Sequence, residues 1–227
     1  MTYFDGKNKI IFEVMNKVRT IASLPLDGGL LCLDFVNTVQ TRKKTPSHEY
    51  LADYATFLDW CIKVEIVSED EKRELALLSD ASPRNTQVAF QHILQVRDNF
   101  YSLFSQKAAG TSVDQSTLDK FNTLVSQALS HIGFANHKDG LKQVWLNMGE
   151  DLASPLWKVV KSAYDILTSA DAKYIKECSA CGWLFLDKTR SHTRRWCNPL
   201  ECGSTDKAIR YYYKRKAAEG PQPKNLK

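Results

Sequence analysis

The sequence predicts a mainly α-helical protein with a small cysteine-based module near its C-terminus. Helical periodicity of the apolar residues dominates from about residue 47 to residue 172. Two short cysteine pairs, spaced C-x2-C and C-x4-C, then precede a basic helical stretch. We therefore expect a multi-helical domain over 1–170, a treble-clef-like or ribbon-like finger with a basic C-terminal helix over 171–219, and a disordered tail over 220–227.

The first forty residues carry the most ambiguous pattern. An apolar-periodic stretch over 10–21 is compatible with a helix, and the proline and paired glycines within 25–29 end any regular element. The run over 30–39 is apolar but is interrupted by Asp34 and Asn37. Its period therefore leaves both a strand and a buried helix open.

Capping signals divide the helical region that follows. Ser68 and Glu71 form a capping box, which predicts a helix start at this point. Ser82 stands before a proline, which predicts the start of a long helix that stops at Gly110. Ser116 is expected to open the next helix.

Turn and cap signals also predict the last elements of the helical domain. A short strand pair is predicted within 133–146. Ser154 before a proline repeats the cap signal and begins the last helix of the domain. Little sequence separates this helix from the finger, so we expect the two parts to be packed together.

Four cysteines suggest the chemistry of the module. Two short pairs separated by fifteen residues are typical of a tetrahedral Zn(Cys)₄ site, in which each pair supplies one side of the metal. Because four thiolates leave no open coordination position, we expect one structural Zn²⁺ ion. Buried free thiol pairs, a disulfide pair and a redox C-x-x-C site are the alternatives. The expected ligands are Cys178, Cys181, Cys197 and Cys202.

The residues around the cysteines predict how the finger is built. β-Forming residues flank the first pair, which indicates a hairpin tip, and the second pair leads into the basic helix. Trp183, Phe185 and Trp196 are expected to form a small core of the finger. His192 lies between the pairs and is expected to be a solvated loop residue or a phosphate contact rather than a ligand.

Export and membrane signals are missing from the sequence. The first residues lack the apolar segment of a signal peptide, and no run approaches the ~18 apolar residues of a membrane span. Six cysteines then fit a reducing compartment, so we expect a cytoplasmic protein. Cys32 and Cys61 lie in apolar segments and are expected to fill the core.

Positive charge is concentrated at the C-terminal end. Residues 173–227 hold thirteen Lys or Arg against five Asp or Glu, whereas the rest of the chain holds eighteen against twenty-one. A basic module on a mildly acidic body favours an anionic partner, most often nucleic acid. The expected nucleic-acid contacts, most of them to phosphates, are Lys188, Arg190, Arg194, Arg195, Lys207, Arg210, Lys214 and Arg215.

Three polar residues interrupt the apolar pattern of the helical domain. They are Asp34, Asn37 and Arg97. They are interpreted as a buried ion pair or cap that holds the first segment to the long helix, because buried polar groups usually pair internally. A ligand site is the alternative, and a partner helix or self-association is equally compatible with the sequence.

Two segments resemble known families. The cysteine-rich segment over 178–203 resembles the CGNR zinc-finger proteins, and 28–38 looks like the start of the helical ABATE domain that precedes that finger. The resemblance implies a bacterial, stress-linked transcription regulator whose finger binds DNA. The family is named for Asn-Arg after Cys-Gly, and this chain has Ser204 and Thr205 there. Ser204 is expected to cap the following helix, but Thr205 lacks the charge and the fork of an arginine.

Two classes of function follow. The first is a zinc-containing DNA-binding transcription regulator, with the helical domain used for sensing or oligomerisation. The second is an interaction adaptor with a purely structural finger that docks on transcription machinery. An enzyme is not expected, since the sequence has no nucleophile elbow, P-loop, HExxH or dinucleotide motif.

Overall fold

The computed structural model describes residues 19–44 and 47–218, and helices dominate it, as the sequence predicts. The apolar stretch up to residue 18 and the tail from residue 219 lie outside the described residues. In chain order the elements are α1 (Leu31–Val36), α2 (Tyr54–Lys63), α3 (Glu69–Ala81), α4 (Pro83–Ala108), α5 (Gln115–Ser130), β1 (Ile132–His137), β2 (Gly140–Trp145), α6 (Pro155–Thr168), a 3-10 turn (Ala170–Tyr174), β3 (Ile175–Glu177), β4 (Leu184–Leu186), a π turn (Pro199–Gly203) and α7 (Ser204–Ala218).

The helix starts mostly agree with the capping signals. The Ser68 hydroxyl accepts from the Glu71 backbone and the Glu71 carboxylate accepts from the Ser68 backbone, so the capping box is confirmed. The start expected at Ser116 is wrong, because Asp114 caps α5 two residues earlier by accepting from the Thr117 backbone N–H. Ser154 precedes α6 but its hydroxyl donates to the Met148 carbonyl instead of capping.

The ambiguous apolar run forms the short helix α1 at the centre of the molecule. Leu33, Phe35 and Val36 are completely buried there. Helix α1 packs against α4, α6 and strand β4. Burial on several sides explains the continuous apolar pattern, which lacks the one-sided stripe of a surface helix. Cys32 and Cys61 are buried as expected, and burial raises the pKa of the Cys32 thiol to about 12.

The hydrophobic core extends from the helices into the finger without a break. Trp183 and Phe185 are buried in the same cluster as Phe35 and Phe100. The expectation that the two parts pack together is therefore confirmed. The expectation of a separate small core in the finger is wrong, because these two aromatic side chains fill the core of the whole protein. In the described part of the chain, no helix has both the length and the hydropathy that crossing a membrane requires.

Candidate metal centre

The four cysteines of the two pairs converge on one point. Their Sγ atoms all lie within 4.8 Å of one another. Cys197 Sγ lies 3.6 Å from both Cys181 Sγ and Cys202 Sγ. A tetrahedral zinc ion with Zn–S bonds of about 2.3 Å separates its sulfurs by about 3.8 Å, whereas a disulfide needs about 2.05 Å. The distances fit metal coordination and do not fit a disulfide.

The electrostatics of the cluster also favour a cation. The pKa of the Cys178 thiol is lowered because the other three cysteines hydrogen-bond to it. Four thiolates this close repel one another strongly, and a divalent ion removes that repulsion. The group therefore fits one structural Zn²⁺ ion with all four positions filled.

The first pair sits at the tip of the antiparallel hairpin formed by β3 and β4, as the sequence predicts. The Cys178 backbone N–H donates to the Trp183 carbonyl at 2.7 Å, which closes the turn. Gly182 has a φ of +79°. A Cβ at Gly182 would lie 2.8 Å from Arg42 Cβ, so a glycine is needed both for the turn and for this close approach.

The second pair is shaped by Asn198. Its side-chain oxygen accepts from the backbone N–H groups of Leu200 and Glu201 at 3.0 and 3.2 Å. The π turn that follows continues directly into α7, and Ser204 has helical φ and ψ of −66° and −42°. The capping role expected of Ser204 is therefore wrong, because Asn198 caps the chain one turn earlier.

Asp187 organises the loop between the two pairs, and sequence reasoning missed it. Its buried carboxylate accepts from Lys176 Nζ at 2.8 Å, from the Thr189 hydroxyl at 2.6 Å and from the Arg194 backbone at 3.0 Å. Burial alone raises the pKa of Asp187, but these hydrogen bonds outweigh it and lower the pKa below its ordinary value. An acid followed two residues later by threonine, directly after an apolar strand, was the available signal.

His192 is a packing residue in the same loop. Its ring stacks on Tyr174 with centroids 3.6 Å apart, and its Nδ1 lies 2.8 Å from the Asp187 carbonyl oxygen. The prediction that it is not a metal ligand agrees with the four-cysteine cluster. These two contacts fix the ring in the loop, and the side chain stays half-buried, so the expectation of a solvated residue or a phosphate contact remains a prediction.

A segment of the helical domain is bonded to the hairpin of the finger. The Asn37 side chain donates to the Leu184 carbonyl at 2.8 Å and accepts from the Leu184 N–H at 2.9 Å. The Trp183 indole donates to the Val39 carbonyl at 2.7 Å. The Cys181 carbonyl accepts from the Arg42 backbone and the Thr41 hydroxyl at 2.7 and 2.8 Å. We call residues 37–42 the clamp.

The other two polar residues singled out in the helical domain act separately from Asn37. Asp34 accepts from the Gly28 N–H at 2.8 Å, and burial raises its pKa to about 7. Arg97 binds both oxygens of Glu49 at 2.6 Å and donates to Thr38 at 3.2 Å. Glu49 is therefore the partner of Arg97, and sequence reasoning missed it. The three residues do not share one ligand site.

The eight basic candidates divide into two groups. Lys207, Arg210, Lys214 and Arg215 lie exposed on α7, where Arg210 also pairs with Asp206 at 3.0 Å. In the loop, Arg194 donates to the Trp196 carbonyl and lies 4.7 Å above the Phe185 ring. The loop group consists of Lys188, Arg190, Arg194 and Arg195. The two groups differ because part of the loop's charge is used for internal packing.

Two family models match the chain. The ABATE model, described as "Putative stress-induced transcription regulator", matches residues 29–170, and the CGNR zinc finger model matches residues 174–216. None of the curated proteins matches it. The first match covers more than half of the chain, so the protein belongs to the ABATE family and carries a CGNR zinc finger. Neither description names an enzymatic activity.

Proposed function

We propose that this ABATE-family protein is a DNA-binding regulator whose finger grips DNA mainly through its phosphates. The observation that carries the proposal is the basic helix α7, which starts directly at the cysteine cluster. Five of its fifteen residues are basic and one is acidic. Most of the contacts would be to phosphates and would fix the position of the finger without reading sequence.

The surroundings of α7 support this role. Helix α7 packs mainly against the π turn before it, so most of its surface stays open. Lys207, Arg210 and Lys214 follow one another at helical spacing and share one face. In the proposal α7 is the main contact. The loop residues are secondary because Arg194 is engaged internally, and they are Lys188, Arg190, Arg194 and Arg195.

The zinc site would serve as a structural support. Cys178, Cys181, Cys197 and Cys202 would hold the start of α7 against the hairpin, and the ion supplies folding free energy without taking part in chemistry. We propose the layout expected from sequence, with a helical domain over 1–170, a finger over 171–219 and a tail. The regulator would act in the cytoplasm.

Sensing or self-association is proposed for the helical domain. A cavity of about 660 Å³ lies between the end of α3, the start of α4 and the residues before α6. Its lining residues include Trp157 and His131. It is large enough for a small molecule. The clamp bonds the same domain to the finger hairpin, so a change in the helices could reach the finger.

Fluorescence anisotropy with the zinc-loaded full chain and labelled mixed-sequence duplex DNA tests the proposal. The full chain is required because the finger shares its core with the helices. We expect binding that weakens by roughly 10³-fold or more between low and moderate salt if about six phosphates are contacted. Binding should also be lost in the presence of a chelator. Zinc-loaded, folded protein that binds no DNA at any salt concentration would contradict the proposal.

A protein-interaction adaptor is the second candidate, and two observations favour it. Thr205 occupies the position of the family arginine, and Leu200 on the π turn is 86% exposed. Thr205 lacks the charge that a phosphate contact would use, and an apolar side chain held out on a rigid turn offers one contact for another protein. A folded, zinc-loaded protein without DNA affinity, whose binding to transcription machinery is lost in Leu200→Ser, would favour the adaptor.

A further inference from the structure

Tyr211 stands in the middle of the cationic face of α7. It lies four residues after Lys207 and three and four residues before Lys214 and Arg215, which places all four side chains on one face of the helix. Its side chain is 70% exposed. Among the residues that the structure describes, none hydrogen-bonds to the Tyr211 side chain or stacks on its ring.

A second tyrosine on the same helix provides the contrast. Tyr213 is 63% exposed, which is nearly the same as Tyr211. It lies about 200° further around the helix, away from the two lysines. Its ring contacts the Tyr212 ring edge-on at 5.4 Å, and its neighbour Arg210 is paired with Asp206. Tyr213 also has basic residues three positions away on either side, Arg210 and Lys216, so the two tyrosines differ in that Arg210 is already paired and that the Tyr213 ring has an aromatic contact.

An aromatic ring among cations is suited to nucleic acid with accessible base faces. The cations hold the phosphate backbone, and the ring stacks on a base without reading its identity. In an intact duplex the neighbouring base pairs cover both faces of each base, so an aromatic side chain can stack only where bases are unpaired or unstacked.

We infer that Tyr211 stacks on an unpaired base and that α7 therefore prefers DNA with single-stranded character over intact duplex. The inference rests on the proposed DNA binding and adds the substrate class and the residue that selects it. Lys207 and Lys214 would supply the affinity common to both forms of DNA. Tyr211 would supply the difference between them.

The test is anisotropy of the zinc-loaded full chain with three probes: an oligothymidine, a duplex, and the same duplex with a central unpaired bubble. Tyr211→Ala should weaken binding to the oligothymidine and the bubble by roughly tenfold and leave duplex binding unchanged. The salt dependence should keep its slope, because no charge is removed. Tyr211→Phe should bind like the wild type, and the matched control Tyr213→Ala should do so as well.

The possible results distinguish base stacking by Tyr211 from DNA binding itself. If the wild type binds duplex in a salt-dependent way and Tyr211→Ala binds all three probes like the wild type, the inference is wrong and the DNA-binding proposal stands. Equal losses for Tyr211→Ala and Tyr213→Ala also overturn it. If the wild type binds none of the probes, both fail. Zinc content and far-UV circular dichroism check that each variant is folded.

Discussion

The two halves of the finger are held in place by different means. The inner half, β3 and β4 with the first cysteine pair, shares the main core and is bonded to the clamp. The outer half, the second cysteine pair with the π turn and α7, contributes Cys197 to that core and also meets the body through polar side chains, such as Asn198 with Asp27 and Arg19 with Glu201. The inner half therefore has an anchor besides the metal, and the outer half depends far more on zinc.

Removing the metal should have the largest effect on the difference between the two halves. In Cys202→Ser, or after chelation, we expect α7 and the π turn to lose their order while β4 and the helices stay folded, because binding of a structural zinc contributes on the order of 10 kcal/mol. DNA binding should be lost with α7. Hydrogen exchange measured by mass spectrometry should show fast exchange over 197–218 and continued protection over 184–186. Simultaneous exposure of the whole chain would contradict the unequal anchoring.

Disrupting the clamp should have the second largest effect, on the stability of the whole protein. Asn37 is 1% exposed, and Asn37→Ala leaves the buried N–H and carbonyl of Leu184 without partners. We expect a loss of about 2–4 kcal/mol in the free energy of unfolding, measured with urea. Asn136→Ala, on the exposed hairpin, is the control and should change it by less than about 0.5 kcal/mol. Equal effects would mean that the clamp does not stabilise the inner half.

The pH dependence of stability tests a smaller effect, at Asp34 in the helical domain. Burial raises the pKa of Asp34 from 3.8 to about 7, so the folded chain keeps this proton where the unfolded chain has lost it. The unfolded state then binds fewer protons between about pH 4 and 7, and stability should fall as the pH rises through this window. Asp34→Asn retains an oxygen for the Gly28 N–H but does not titrate. Melting temperatures should therefore fall less with pH in the variant, and identical slopes would refute the assignment.

The smallest expected effect concerns a single lysine on the outer half. Lys214→Ala should lower the slope of log affinity against log salt by about one, because one phosphate contact is lost. Lys142→Ala, an exposed lysine on the hairpin of the body, is the control and should leave the slope unchanged. The measurement is the anisotropy titration repeated at several salt concentrations. An unchanged slope for Lys214→Ala would mean that Lys214 contacts no phosphate and would contradict α7 as the DNA contact.

Local rules explain which features could be predicted from the sequence. The cysteine pairs and the Ser68 capping box can be predicted from residues that are close together in the chain, because both depend on short-range geometry. The cap of α7 was misplaced because a serine directly before the helix looks like a cap, whereas Asn198 reaches across the π turn. Such a turn has no simple sequence signature.

Partners that are distant in the chain could not be predicted in this way. Arg97 was recognised as a buried charge, but its partner Glu49 lies 48 residues away and is one of many acids. Asn37 was noticed as an interruption, but its bond to Leu184 spans 147 residues. Side chains that bond over such separations are brought together only by packing, and one sequence read alone contains no measure of that proximity.

Periodicity, spacing and charge are local properties, so the helical class, the four cysteine ligands and the basic character of the last helix follow from the sequence alone. The absence of a separate core in the finger depends on long-range packing, because Trp183 and Phe185 are buried by residues of the distant helices. Burial and contact depend on which surfaces meet, and the surfaces of this chain meet across more than a hundred residues.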